Sequence, residues 1–276
     1  MKKVVVWNPK FVPEYIDTYS PSWRKPKEFM KEMAHDIVEA GLCVETAESA
    51  ENLLPLVHSI AHIRAVKRGL EPNGFGTLDK DAAESCFYTA GGMVKGVELA
   101  KQGISSCVPV SGFHHAGYAF SGGFCTFNGL ALAAVVAEGH GMNPGVLDLD
   151  MHYGNGTVDI FAKLGKEYPH WTYGGEKYAS QDKGELFLGD LPRILKDKFD
   201  GCDVLLFQAG ADPHINDPLG GCLTTEHLRK RDQIVFEYCK ARGIPVVWDL
   251  AGGYQNPLSK VMEVHRNTFA EWIKAG

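Results

Sequence analysis

The densest chemistry in this 276-residue chain lies in GVLDLDMHYGNGT, residues 145–157, where Asp148, Asp150 and His152 occupy every second position before a glycine-rich turn. In a strand that stays extended, the period of two sends these three side chains to one face and Leu147, Leu149 and Met151 to the other. Two carboxylates this close at a buried strand end repel, and each raises the other's pKa unless a cation or hydrogen bonds compensate them. A metal ion is the economical answer; a polar strand end running into a turn is the bland one. Asp212, closing DVLLFQAGAD at 203–212, adds a candidate ligand from a second strand end. Asp150, His152 and Asp212 then form a cysteine-free set of three with one position open, the catalytic kind of zinc site. Mixed oxygen and nitrogen donors also accept iron, cobalt or manganese.

Two more segments offer the partners that such a metal needs. His114 and His115 stand side by side in VSGFHHAGYAFSGGFCTFN, residues 110–128. As surface residues they mean little, but beside a metal they supply a base and an acid that titrate near neutrality. Asp148, unused as a ligand, is free to hold one of them. Tyr254 follows two glycines in LAGGYQ, where a tight turn brings its phenol toward the site as a donor to a developing oxyanion.

The elements that position these residues are legible as alternation. Short apolar runs at 4–7, 145–150, 203–212 and 244–254 are separated by helical patterns at 27–40, 50–69, 79–102, 126–139, 187–199, 224–242 and 259–274. Nearly continuous apolar strands between helices specify an α/β fold with a central, mostly parallel sheet covered on both faces. Ligands of such sheets bind beyond the carboxyl ends of the strands, which is where the chemically loaded segments sit. With no linker-like tract in the sequence, residues 1–276 read as one domain.

Composition narrows the function classes. A formal net charge of −6 with scattered Lys and Arg gives no basic field for nucleic acid. The seven cysteines contain no CxxC pair, so neither a disulfide framework nor a cysteine zinc knuckle is expected, and reduced thiols point to a cytoplasmic setting. MKKVVVWNPKF reads as a first strand rather than a signal peptide, and no stretch reaches the roughly 18 apolar residues of a membrane span.

The segments GFHHAGYAFSGGFCTFN, LDLDMHYGNGTVDIF, QAGADPHINDPLGG and LAGGY, in this order, resemble those of the histone deacetylase superfamily, which includes acetylpolyamine amidohydrolases and small prokaryotic deacetylases. Weaker similarity begins near VHSIAHIRAV at 57–66. The resemblance implies an arginase/deacetylase-like fold and a zinc-dependent deacetylase. On it, Asp150, His152 and Asp212 are the zinc ligands, and Tyr254 polarises the acyl carbonyl. His115 is the general base and acid with Asn155 as its partner, and His114 is its companion imidazole, paired with Asp148, which stabilises positive charge in the transition state. Gly123 and Phe124 resemble the wall of a narrow acyl-lysine tunnel, and Leu219 its rim. Hydrolysis of an amide requires this chemistry in any case: activated water, oxyanion stabilisation and a proton for the leaving amine.

Departures are local. Tyr153 stands where many relatives have a second His, and Asn155 where some have Asp; a neutral partner raises the basicity of His115 less than a carboxylate would, so His115 is expected to be neutral at pH 7. The family's tunnel aromatic and potassium site fall in EYPHWTYGGEKYASQ at 167–181, with Tyr173 or Tyr178 the candidates for the first and the Thr172 hydroxyl for the second. The short segment between Phe161 and Asp203 predicts an open, shallow mouth. Apolar Leu219 favours an acyl-lysine peptide or another small N-acyl amide over an acetylpolyamine. A binuclear arginase-like centre lacks its further aspartates here, and a non-catalytic binding role would predict erosion of a set that is complete.

Overall fold

The computed structural model describes residues 1–174, 176, 178 and 183–276. Its strands are β1 (Lys3–Trp7), β2 (Cys43–Thr46), β3 (Ser105–Cys107), β4 (Pro144–Asp148), β5 (His170–Thr172), β6 (Val204–Gln208) and β7 (Val246–Asp249). They pair parallel throughout in one sheet of order β2-β1-β3-β7-β6-β4-β5. The expected parallel α/β architecture is therefore the one observed.

Every residue of β4, β6 and β7 is buried, and the pleat divides their side chains between two cores. Val5, Leu147, Leu205, Phe207 and Trp248 join Phe29, Phe187, Phe236 and Phe269 on one face. Val4, Val6, Val146, Leu206 and Val247 join Phe87, Val97, Leu130 and Ile160 on the other. The first core is closed by α1 (Lys25–Glu32), α2 (Ala34–Glu39), α7 (Gly184–Phe199), α8 (Thr225–Arg242) and α9 (Ser259–Lys274). The second is closed by α3 (Ile60–Lys67), α4 (Lys80–Ala100), α5 (Gly129–Gly139) and α6 (Asn155–Leu164).

Helix starts and stops follow local chemistry. Asp79 caps α4 by accepting from Ala82 N–H at 2.8 Å, and Asn128 caps α5 by accepting from Ala131 N–H at 2.9 Å. Thr224 and His227 close a reciprocal capping box on α8, which ends on Gly243 at φ 67°. The helical stretch expected over 27–40 is divided at Met33. The one expected over 50–69 begins only at Ile60, because Pro55 confines the preceding residues to a single 3₁₀ turn. β2, β3 and β5 escape a pattern search because they are three or four residues long, and β2 is largely exposed.

Close approach of α4 to the loop before it depends on Gly91, where a β-carbon would lie 1.8 Å from the Glu48 carbonyl oxygen; Gly189 in α7 has open space around it. Gly91→Ala should therefore cost about 1–3 kcal/mol by overpacking, and Gly189→Ala should add about 0.5–1 kcal/mol, both read from urea unfolding midpoints.

Candidate active site

Strand β4 ends at Asp148, so Asp150 and His152 lie in the bend beyond it instead of continuing the strand. The extended alternation therefore stops at Asp148, although His114 touches both Asp148 and Asp150. Asp148 accepts from Gln208 Nε2 at 2.9 Å and pairs with His114, whereas Asp150 and His152 turn toward Asp212. The His152 Nδ1 atom lies 3.2 Å from Asp150 Oδ1 and 3.0 Å from Asp212 Oδ2. One ligand atom from each of Asp150, His152 and Asp212 falls within 4.8 Å of the others.

This cradle fits a divalent cation by its donor chemistry. Both carboxylates are within 2% of complete burial, and they need positive charge. The His152 Nε2–H donates to the Leu219 carbonyl at 3.1 Å; a carbonyl only accepts, so Nδ1 is the nitrogen whose lone pair is available to an ion. Gly252 closes the floor: a β-carbon there would lie 2.3 Å from Asp212 Oδ2 and 2.6 Å from Asp150 Oδ2. Its N–H also donates to Asp150 Oδ2 at 2.9 Å. Without an ion, hydrogen bonds to Asp150 and Asp212 raise the His152 pKa to about 11, against the cost of burial. Burial works against ionisation of Asp150, but the charge of His114 and the His152 hydrogen bond hold its carboxyl well below the usual range. Burial and the Asp150 charge push Asp212 up.

The two neighbouring imidazoles have different partners. His114 is buried, and its Nδ1–H donates to Asp148 Oδ2 at 2.7 Å while Nε2 lies 3.6 Å from Asp150 Oδ1. Burial disfavours its charge, yet Asp148 and Asp150 outweigh burial and raise its pKa to about 9. His115 Nδ1–H donates to Asn155 Oδ1 at 2.6 Å, leaving Nε2 as its acceptor atom. Desolvation and the His114 charge lower the His115 pKa, the direction of the expected neutral imidazole. The ring centroids of His115 and His152 are 5.9 Å apart.

Backbone contacts fix this pair. The N–H groups of Gly156 and Thr157, at the start of α6, donate to the His114 carbonyl at 2.8 and 3.1 Å. The same helix start carries Asn155. Asn128 Nδ2 holds the Ala116 carbonyl at 3.0 Å, and Phe113 N–H donates to Gln208 Oε1 at 3.0 Å.

Tyr254, Gly123 and Phe124 line one small cavity with His114, Asp150 and Gly252. The Phe124 and Tyr254 rings are 5.5 Å apart, and burial raises the Tyr254 phenol pKa well above its ordinary value. Gly123 is required at φ 52°, where a β-carbon would meet His115 Cδ2 at 2.4 Å. Leu219 is exposed and contributes its carbonyl to His152, a direct link to the ligand set that its sequence position did not reveal.

Tyr173 and Tyr178 both sit in the core, packed on Phe187 at 4.8 and 5.7 Å between ring centroids, so neither fits the expected tunnel aromatic. Thr172 pairs with Asp148 across β5 and β4. Residues 175, 177 and 179–181 of the segment expected to carry the tunnel aromatic and potassium site lie outside the described residues.

Three further residues were not singled out from sequence. Lys25 is fully buried at the start of α1 and donates to the Ala251 carbonyl. Burial lowers its pKa to about 8, opposed by Asp212, Asp150 and Asp249. Asp217 accepts from Tyr254 N–H at 2.8 Å and from Leu219 N–H at 3.0 Å, joining the phenol's loop to the rim. Gln208 bridges the histidine loop to Asp148. The only available signal was a long polar side chain in an apolar run, which Gln208 alone displays.

Residues 22–168 and 185–269 match the histone deacetylase domain family. An uncharacterized protein of Picosynechococcus sp. is 30% identical over 238 residues, covering 77% of this chain and 78% of that protein. Histone deacetylase 5 of Arabidopsis thaliana is 27% identical over 269 residues, 76% of this chain, but the match spans only 39% of that longer protein. Among solved structures, the crystal structure of the HDA15 HD domain superposes with a TM-score of 0.79 at 20% identity, covering 99% of this chain and 88% of that one.

Because the folded His114 pKa of about 9 exceeds the ordinary 6.5, its contribution is complete below about pH 6.5 and is lost as pH rises through about 9. In metal-free protein His114 alone should account for roughly 3 kcal/mol of loss over that interval, read as the part of the loss that Asp148→Asn removes in denaturant titrations at each pH.

Proposed function

The chain belongs to the histone deacetylase family, and from that membership and the geometry above we propose that it is a zinc-dependent amidohydrolase removing an acetyl or other short acyl group from an amine, acyl-lysine foremost. One observation carries the proposal: a buried Asp150–His152–Asp212 cradle lies beside two imidazoles, each held by its own partner. Bound there, a divalent ion supplies Lewis acidity toward an acyl carbonyl and lowers the pKa of water.

The remaining chemistry belongs to side chains of this protein. His115, neutral and open at Nε2, removes a proton from the attacking water and returns it to the departing amine. His114, kept cationic by Asp148, favours the negative charge that develops beside it. Tyr254 stays protonated through burial and donates its hydroxyl hydrogen to the oxyanion. Gly123 and Phe124 form the wall along which the acyl-bearing chain lies, with Leu219 at the rim. An apolar rim residue favours acyl-lysine over a polyamine, whose second ammonium needs an acidic partner.

Zinc-loaded protein should hydrolyse acetyl-lysine peptides and lose that activity to chelator. Failure on acetyl-lysine, longer acyl-lysine and acetylpolyamine alike would overturn the proposal. His115→Ala should retain the metal and lose about 10²–10⁴ in kcat/KM, whereas Asp212→Ala should lose both metal and turnover. The acid limb of kcat/KM should have its midpoint below the ordinary 6.5, since the His115 pKa is lowered. Asn155→Asp should move that limb to higher pH by placing a carboxylate on His115.

A further inference from the structure

We infer that Arg231, a fully buried arginine of α8, is a positioning residue that sets the separation of the metal ligands by holding the ends of β4 and β6 together. The two strands pair through Asp148 and Gln208, and the Leu149 N–H donates to the Gln208 carbonyl at 3.0 Å. Beyond that point the chains part to carry Asp150 and Asp212. Among the described residues no backbone N–H reaches the next carbonyls, those of Leu149 and Gly210. Both are taken by one atom, Arg231 Nη1, at 3.1 and 2.8 Å.

The guanidinium is itself oriented from a third element. Its Nε–H donates to Asp232 Oδ1 at 2.8 Å, and Asp232 Oδ2 accepts from the Thr268 hydroxyl on α9 at 2.6 Å. Gly210 permits the close approach of the two chains, because a β-carbon there would lie 2.7 Å from Asp150 Cα. The arginine resists their separation. A planar guanidinium fixed by a carboxylate performs this task, whereas a flexible ammonium holds no fixed geometry. Burying an arginine is costly, and its directed bonds end one residue before Asp150 and two before Asp212. Supporting groups of this kind tune a metal through the geometry of its ligands.

This inference rests on the reading of Asp150, His152 and Asp212 as ligands, and the test separates the two. Zn²⁺ affinity is measured by chelator competition, and the visible spectrum of the Co²⁺-loaded protein reports ligand geometry, with folding checked by circular dichroism. Arg231→Met should bind Zn²⁺ about 10–100-fold more weakly and alter the Co²⁺ bands, with Arg231→Lys intermediate. Thr268→Val, which keeps the volume and removes only the hydroxyl, should shift affinity in the same direction and serves where Arg231→Met does not fold. Cys239→Ala, a buried α8 change about two turns beyond Arg231, should lower stability while leaving Zn²⁺ affinity unchanged. A folded Arg231→Met or Thr268→Val protein with wild-type affinity and spectrum would overturn the role of Arg231. A wild type that binds neither ion would overturn the ligand reading, and this inference with it.

Discussion

The constraint on which this structure turns is buried negative charge. Asp148, Asp150, Asp212 and Asp249 are all 0–2% exposed at the carboxyl edge of one parallel sheet, where isolated carboxylates would be prohibitively costly. Each neighbourhood answers that cost differently. Asp148 has an imidazole and an amide; Asp150 and Asp212 share His152, with Lys25 acting on both through charge. Burial pushes Asp249 well up, toward the neutral acid. The space between Asp150 and Asp212 is the place in this cluster where a small cation would complete the compensation.

The same electrostatics separates two adjacent histidines into different chemical species. His114 and His115 are consecutive in sequence, with ring centroids 4.1 Å apart. A carboxylate partner raises the pKa of one to about 9, whereas burial and the first histidine's charge lower that of the other against its amide partner. One dipeptide thus carries two imidazoles in different environments because β4 supplies Asp148 and the first residue of α6 supplies Asn155.

Precision in this site comes from backbone more than from side-chain packing. The amino end of α6 grips the His114 carbonyl, Asn128 grips Ala116, and Gly252 and Gly210 allow contacts that a β-carbon would block. A buried arginine and a run of amide bonds hold the strand ends in the same way.

Much of this was legible in the chain itself. The alternation of apolar runs with helical patterns fixes a parallel α/β sheet because both faces of such strands must be buried. The order of the loaded segments singles out Asp150, His152, Asp212, His114, His115, Asn155 and Tyr254 as candidates. Other features depend on tertiary structure because partners distant in sequence create them. Lys25 looks like one cation in a basic, helix-starting stretch and is buried against the Ala251 carbonyl, 226 residues away. Arg231 and Asp232 look like a solvated charge run, yet the first reaches Leu149 and Gly210 while the second is held by Thr268. The termination of β4 at Asp148 likewise depends on its neighbours. Residue types and periodicity determine which side chains can ionise and which strand ends carry them; burial and distance, which exist only in the folded chain, decide which of them keep their charge.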